Sequence, residues 1–197
     1  MSYCTLDDLK TYLNISESTE DVRLSRFIAR AQTKLESMTD RVFEATADST
    51  KYLDAIDDVG GRTLYLTSVG SDLAVITSIT NGDDDELAVT DYVTEPRSIP
   101  PYHAIKLLAS SGISWTYEDD HENAITVVGR WAHTDQAEGV VLPAAEEACL
   151  LLAAYHWHAK DNAIDLERTI IAGNATILPS QWPQSVRDFV KTYKRLV

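Results

Sequence analysis

Little in this sequence is equipped to make or break bonds. Cysteine is scarce: Cys4 and Cys149 are the only two in 197 residues, and they lack the paired spacing of a zinc ligand set. In a reducing compartment two such thiols are expected to be free and buried. The eight glycines include no G-x-x-x-x-G-K-[ST] or G-x-G-x-x-G, so neither common phosphate cradle is written here. G-x-S-x-G is missing too. Lys and Arg number 17 against 31 Asp and Glu, a net charge of −14. That excludes wrapping nucleic acid, because gripping phosphates needs cations that displace counterions. No apolar run approaches the ~18 residues of a membrane span. "MSYCTLDDLK" has no basic segment leading into an apolar one, so no signal peptide and a cytoplasmic start are expected.

What remains is patterning. At 44% hydrophobic and 24% charged residues the chain has enough apolar surface for a full core or a core plus an inserted lobe. The first helix is announced by a capping box, Thr5 with Asp8, opening "LDDLKTYL" with Leu6, Leu9 and Leu13 in a stripe. Ser18 or Thr19 is the expected cap of a second helix. There Leu24, Phe27, Ile28, Ala31, Leu35 and Met38 share one face, and Arg23, Arg26, Arg30 and Lys34 lie elsewhere around the cylinder. Its expected end is near Thr39.

From 51 to 131 the texture is that of strands and turns. "KYLDA" and "RTLYL" flank the turn-rich "IDDVGG" as a hairpin. Asn81-Gly82 follows the β-branched "AVITSIT" and marks a turn. "DYVTEP", "AIKLL", "ISWTY" and "AITVVGRW" supply further strands, and Pro100-Pro101 excludes mid-strand structure there. Helix three starts at Pro143 and runs to about Asn162, with Ala144, Ala148, Leu151, Leu152 and Tyr155 on its apolar face. A connector follows. Pro183 then opens a last helix that aligns Val186, Phe189, Val190, Tyr193 and Val197. Its end is basic: Arg187, Lys191, Lys194 and Arg195 lie in the last eleven residues.

Candidate chemistry is thin. His156 and His158 flank Trp157, yet on a helix they point roughly 200° apart and cannot hold one metal. The H-E-x-x-H arrangement would need a histidine at 160, where Lys stands. A metal-assisted hydrolase could be built only from the acidic loops 83–86 and 117–122 with His121 or His133; these loops read first as solvated tips. No catalytic, cofactor-binding or metal-ligating residue is assigned, and no cofactor is expected. The sharper feature is the last helix. Trp182, Val186, Phe189, Val190 and Tyr193 beside Lys194 and Arg195 could dock an acidic partner, and deletion of 182–197 would then leave the fold intact.

The order of these pieces resembles a known family. "TLDDLKTYLNI" with "EDVRLSRFIARAQTKLESMTDRVF" looks like the opening helices of tailed-phage head–tail connector (adaptor, or head-completion) proteins. "AVITSITNGDDDELAVTDYV" resembles the family's strand–turn–strand, and "NAITVVGRWAH" with "LPAAEEACLLLAAYHWHAKDN" its strand feeding a proline-started helix. "PQSVRDFVKTYKRL" is similar to its closing helix. The resemblance implies a structural, non-enzymatic protein of the virion neck, made in the host cytoplasm. It implies a ring, commonly a dodecamer, below the portal protein; as with many assembly proteins, the isolated chain is expected to wait as a monomer and order its termini on docking. The ring would join the capsid to a stopper or tail-completion protein and let DNA pass without specific binding, with no membrane partner. The C-terminal helix would face the portal. The fold expected is α+β: an antiparallel helical bundle (1–50 and 132–197) with an inserted β-rich lobe (51–131) and a C-terminal helix, as one composite domain.

Overall fold

The computed structural model describes residues 2–70, 72–159, 170–172, 175–177 and 182–195. It is an α+β structure whose named strands all pair antiparallel. The chain divides into two compact units, one of Ser2–Asp40 with Pro143–Val197 and one of Arg41–Leu142. The strand-rich unit therefore begins and ends about ten residues outside 51–131, because Val42, Phe43 and Ala45 bond to His133, Leu142 and Gly139 through their backbones.

In the helical unit, α1 (Leu6–Leu13) starts with the capping box read from the sequence. Thr5 Oγ1 accepts from the Asp8 N–H, and the Asp8 carboxylate accepts from the Thr5 N–H. Helix α2 (Asp21–Thr39) departs from expectation at its start. Its N-cap is Glu20, with no side-chain cap, and the Ser18 carbonyl instead accepts from the Asp21 N–H in a turn. Leu24, Ile28, Ala31 and Leu35 are its buried stripe. Helix α3 (Pro143–Ala159) packs against α1, α2 and α4 (Gln184–Tyr193). Being covered by three helices, it buries Ala145, Ala148, Cys149, Leu152, Ala153 and Ala154, whereas Ala144 and Leu151, placed on its apolar face by spacing, are half-buried. Its small side chains allow that close approach. Cys4 and Cys149 are both buried and free, with sulfurs 3.7 Å apart. The C-terminal ends of α2 and α4 are tied together: the Arg195 N–H donates to Thr39 O at 2.8 Å, satisfying a carbonyl left open at the end of α2.

The strand unit holds two sheets. In chain order its strands are β1 (Ser49–Leu53), β2 (Val59–Gly60), β3 (Thr63–Tyr65), β4 (Leu73–Thr80), β5 (Tyr92–Glu95), β6 (Ala104–Leu107) and β7 (Ile125–Trp131). The sheet orders are β1-β7-β4 and β2-β3-β6-β5, and both contribute to one core containing Leu53, Leu64, Leu73, Ile79, Ile105 and Val127. β7 alternates strictly, burying Ile125, Val127, Gly129 and Trp131. A side chain at 129 would fail: a Cβ there would lie 2.1 Å from Val75 O, where β4 shifts register against β7.

Two strand expectations are corrected. "KYLDA" and "RTLYL" do not pair; β1 pairs with β7, and the hairpin is the tighter β2–β3, closed by Gly61 (φ +65°) and Arg62. The two-residue turn fixes that register and leaves β1 to the other sheet. "ISWTY" forms no named strand, only a bridge from Tyr117 to Gly82. Its backbone is held by a side chain instead. Asn81, 1% exposed, donates from Nδ2 to Ser114 O and Thr116 Oγ1 (both 3.0 Å), and its Oδ1 accepts from the Thr116 N–H at 3.2 Å. Gly82 permits the approach, since a Cβ there would sit 2.2 Å from Thr116 O. A backbone hairpin, β8 (Ile170–Ala172) with β9 (Ala175–Ile177), lies in the connector. Residues 160–162 and Val197, assigned above to helix ends, fall outside the described residues.

Candidate docking surfaces

The C-terminal helix does not offer the face that periodicity suggested. Val186 is 0% exposed, Phe189 7% and Val190 9%. These side chains fasten α4 onto α2 and α3, so they are core residues rather than surface anchors. The remainder of the candidate set is accessible to different degrees. Trp182 and Tyr193 are half-buried, Tyr193 lying 4.7 Å from the Phe189 ring; Lys194 is exposed and Arg195 half-buried.

Trp182 belongs to a different feature. It faces Lys34 of α2, whose ammonium lies 5.7 Å from the indole centroid, a cation–π geometry. The two flank a cleft of about 610 Å³. It is also lined by Ala29, Thr33 and Ser37, three small residues at i, i+4 and i+8 along α2, and by Arg30 and His156. His156 stacks on Phe27 at 6.4 Å, and Trp157 meets the same ring edge-on. Burial pushes the His156 imidazole down, and the charges of Arg30 and Lys34 add to that, favouring its neutral form. His158 is exposed, in agreement with the helical geometry that separates the two histidines.

Arg26, Arg30 and Lys34 recur every fourth residue on the exposed side of α2. Among the described residues none of the three makes a salt bridge, whereas Arg23 pairs with Glu20 at 3.1 Å and Lys10 with Asp21 at 2.7 Å. The spacing was legible in the sequence; the lack of partners was not.

The acidic loops are brought together. β1 and β4 both run antiparallel to β7, so the segments after Leu53 and Thr80 and the segment before Ile125 share one end of the sheet. Segments 54–58, 83–86 and 118–122 hold eleven of the unit's eighteen Asp and Glu and no Lys or Arg. Arg41–Leu142 has six Lys and Arg against those eighteen, a net −12; the rest of the chain has eleven against thirteen, a net −2. Almost all of the protein's net charge is thus in the strand unit.

The metal-assisted alternative does not gain from this geometry. His121 sits within the acidic end, 3.6 Å from Glu122 and edge-on to Tyr117. His133 lies past the opposite end of β7, a strand of seven residues spanning roughly 20 Å. There it meets Asp72 at 3.2 Å and Arg41 at 2.6 Å, and Arg41 also pairs with Asp72. Burial alone would raise the Asp72 carboxyl, but hydrogen bonds from His133 and Arg41 and their charge outweigh it and bring it down to about 2. Among the described residues no group of three His, Cys, Asp or Glu is disposed to hold a metal ion.

Comparison with known proteins adds two findings. Residues 3–63 match the family described as Phage gp6-like head-tail connector protein. Over nearly the whole chain the fold is similar to that of three solved structures. The first is a chain in the neck of an empty gene transfer agent particle (C6 symmetry), with TM-score 0.55 and 14% identity over 99% of this chain and 91% of the other. The second is a chain in the neck of the native particle (C12 symmetry), with TM-score 0.55 and 12% identity over 98% and 88%. The third is a chain in the native gene transfer agent virion, with TM-score 0.54 and 14% identity over 99% and 91%. At these identities the likeness is one of fold. No curated protein matches the chain.

Proposed function

Starting from a head–tail connector family, which the match over residues 3–63 and the neck-protein fold both support, we propose that this chain is a structural, non-enzymatic component of a virion neck. In this reading it forms a ring below the portal protein, joins the DNA-filled capsid to a stopper or tail-completion protein, and contributes to the DNA exit channel. Helices of one unit form the bundle, and the strand unit is the lobe inserted into it. The observation that carries the reading is the coincidence of two independent likenesses: a family sequence pattern in the first helices and a neck fold along 99% of the chain.

The charge distribution supports the channel role. A strand unit of net −12 repels phosphates, so DNA could pass without being retained. Docking to the portal falls to the part of the C-terminal helix that the fold leaves accessible: Trp182, Tyr193, Lys194 and Arg195, with Val186, Phe189 and Val190 holding the helix in place. The isolated chain is largely monomeric in this account, made in the host cytoplasm and closed into a ring on the portal.

The test is co-purification with portal rings. Lys194→Glu should weaken portal binding by roughly tenfold with an unchanged melting curve, as expected for an exposed charge at an interface. Undiminished binding by this variant would dismiss the docking assignment. Absence of the wild-type chain from purified particles would dismiss the neck itself.

A further inference from the structure

Among the described residues, the cationic stripe of α2 and the acidic end of the strand unit are exposed patches of opposite charge. Like charges at i, i+4 repel along a helix, so Arg26, Arg30 and Lys34 weaken α2 unless something neutralises them. Among the described residues no salt bridge does so. Beside them lies the cleft of about 610 Å³, lined by small side chains of α2 and by Trp182. At the sheet end, Asp84, Asp85 and Glu86 of one loop and Asp119, Asp120 and Glu122 of another are exposed and unaccompanied by any Lys or Arg.

We propose that these two surfaces are one interface: the acidic sheet end of one copy seats on the Arg26–Arg30–Lys34 stripe and the Trp182 cleft of the next. The inference rests on the ring reading and identifies which surfaces close the ring. Three observations select a second copy as the occupant. Charge is complementary, and both partners of the pair are carried by the same chain in equal number. There is also room, since the cleft beside the stripe measures about 610 Å³ and the acidic residues sit on exposed loops. Head-to-tail repetition of this contact satisfies both patches on every copy once the rotation closes, as a ring requires. Nucleic acid is the disfavoured occupant, since the strand unit of the same molecule would repel it.

The experiment uses the full chain in sedimentation velocity over a dilution series at low and high salt. Three proteins are compared: wild type, R26E/R30E/K34E, and D84K/D85K/D119K/D120K. Wild type is expected to associate weakly at low salt and to lose association at least tenfold at high salt. Each variant alone should be monomeric while its circular dichroism spectrum remains that of the folded protein, since the altered residues are exposed. An equimolar mixture of the two variants should recover association, since each reversed patch then meets an opposite one. A wild type monomeric throughout, a variant that associates like wild type, or a mixture that fails to recover overturns the pairing. So does a wild-type shift of duplex DNA at the same salt that is lost in R26E/R30E/K34E, which would give the stripe to nucleic acid. Finding the wild type in particle necks while association ignores both reversals would sink the pairing alone; its absence from particles would sink the neck reading and leave the sedimentation result standing.

Discussion

Replacing Phe189 by alanine separates a helix that holds the fold from a helix that only docks. In the structure Phe189 is 7% exposed and its ring lies 4.7 Å from that of Tyr193, tilted by 37°. Truncating a buried phenylalanine removes its transfer free energy and leaves a cavity, together about 3–5 kcal/mol, of which the ring pair accounts for about 1 kcal/mol. Domains of this size are stable by only about 5–15 kcal/mol, so the loss should be visible as a large fall in the urea midpoint. Far-UV circular dichroism is the assay, with Lys194→Ala as the exposed control, expected within about 0.5 kcal/mol of wild type. By the same reasoning deletion of 182–197 destabilises the helical unit instead of leaving it intact, because Val186 and Val190 go with Phe189. A Phe189→Ala protein that unfolds like the control would show that α4 is not part of the core.

The Arg41–Asp72–His133 network makes a pH prediction. The Asp72 carboxyl is lowered from its ordinary 3.8 to about 2 in the folded state, so its contribution is fully present above the unfolded value and lost as pH falls from about 4 through 2. With allowance for partial solvent screening this amounts to about 1–2 kcal/mol. Asp72→Asn should therefore be less stable than wild type by that amount at neutral pH, the gap closing towards pH 2; a gap independent of pH would refute the linkage. Asn81→Ala removes the three hydrogen bonds to segment 114–116 at a residue 1% exposed, with a longer one to Asp83, and should cost about 2–4 kcal/mol in urea unfolding. A loss below about 0.5 kcal/mol would mean that the 114–117 segment is held by something else.

How far the sequence could be read depended on how local each signal was. The capping box of α1 and the buried stripe of α2 were legible because each is decided within one turn or along one face. The strand partners were not. "KYLDA" and "RTLYL" have the composition of a hairpin, yet the Gly61-Arg62 turn fixes β3 on β2 and sends β1 to β7. "ISWTY" has strand propensity, but the Asn81 side chain takes the bonds a ladder would have taken. The amphipathic pattern of α4 was plain, but periodicity does not say whether an apolar face meets its own core or a foreign surface. The carboxylate loops were visible one by one; their meeting at one sheet end follows from the antiparallel register of β1 and β4 on β7. The family likeness was legible in the opening helices, where residues 3–63 match the family pattern.

The central claim is that this chain is a building block of a virion neck. The direct measurement is a single-particle reconstruction of the neck of purified particles that carry the chain with a small fused tag. The account predicts a ring of tag densities between portal and tail, with the helical and strand units fitting the density of each subunit. Intact necks without tag density, in particles from cells that make the tagged chain, would contradict it.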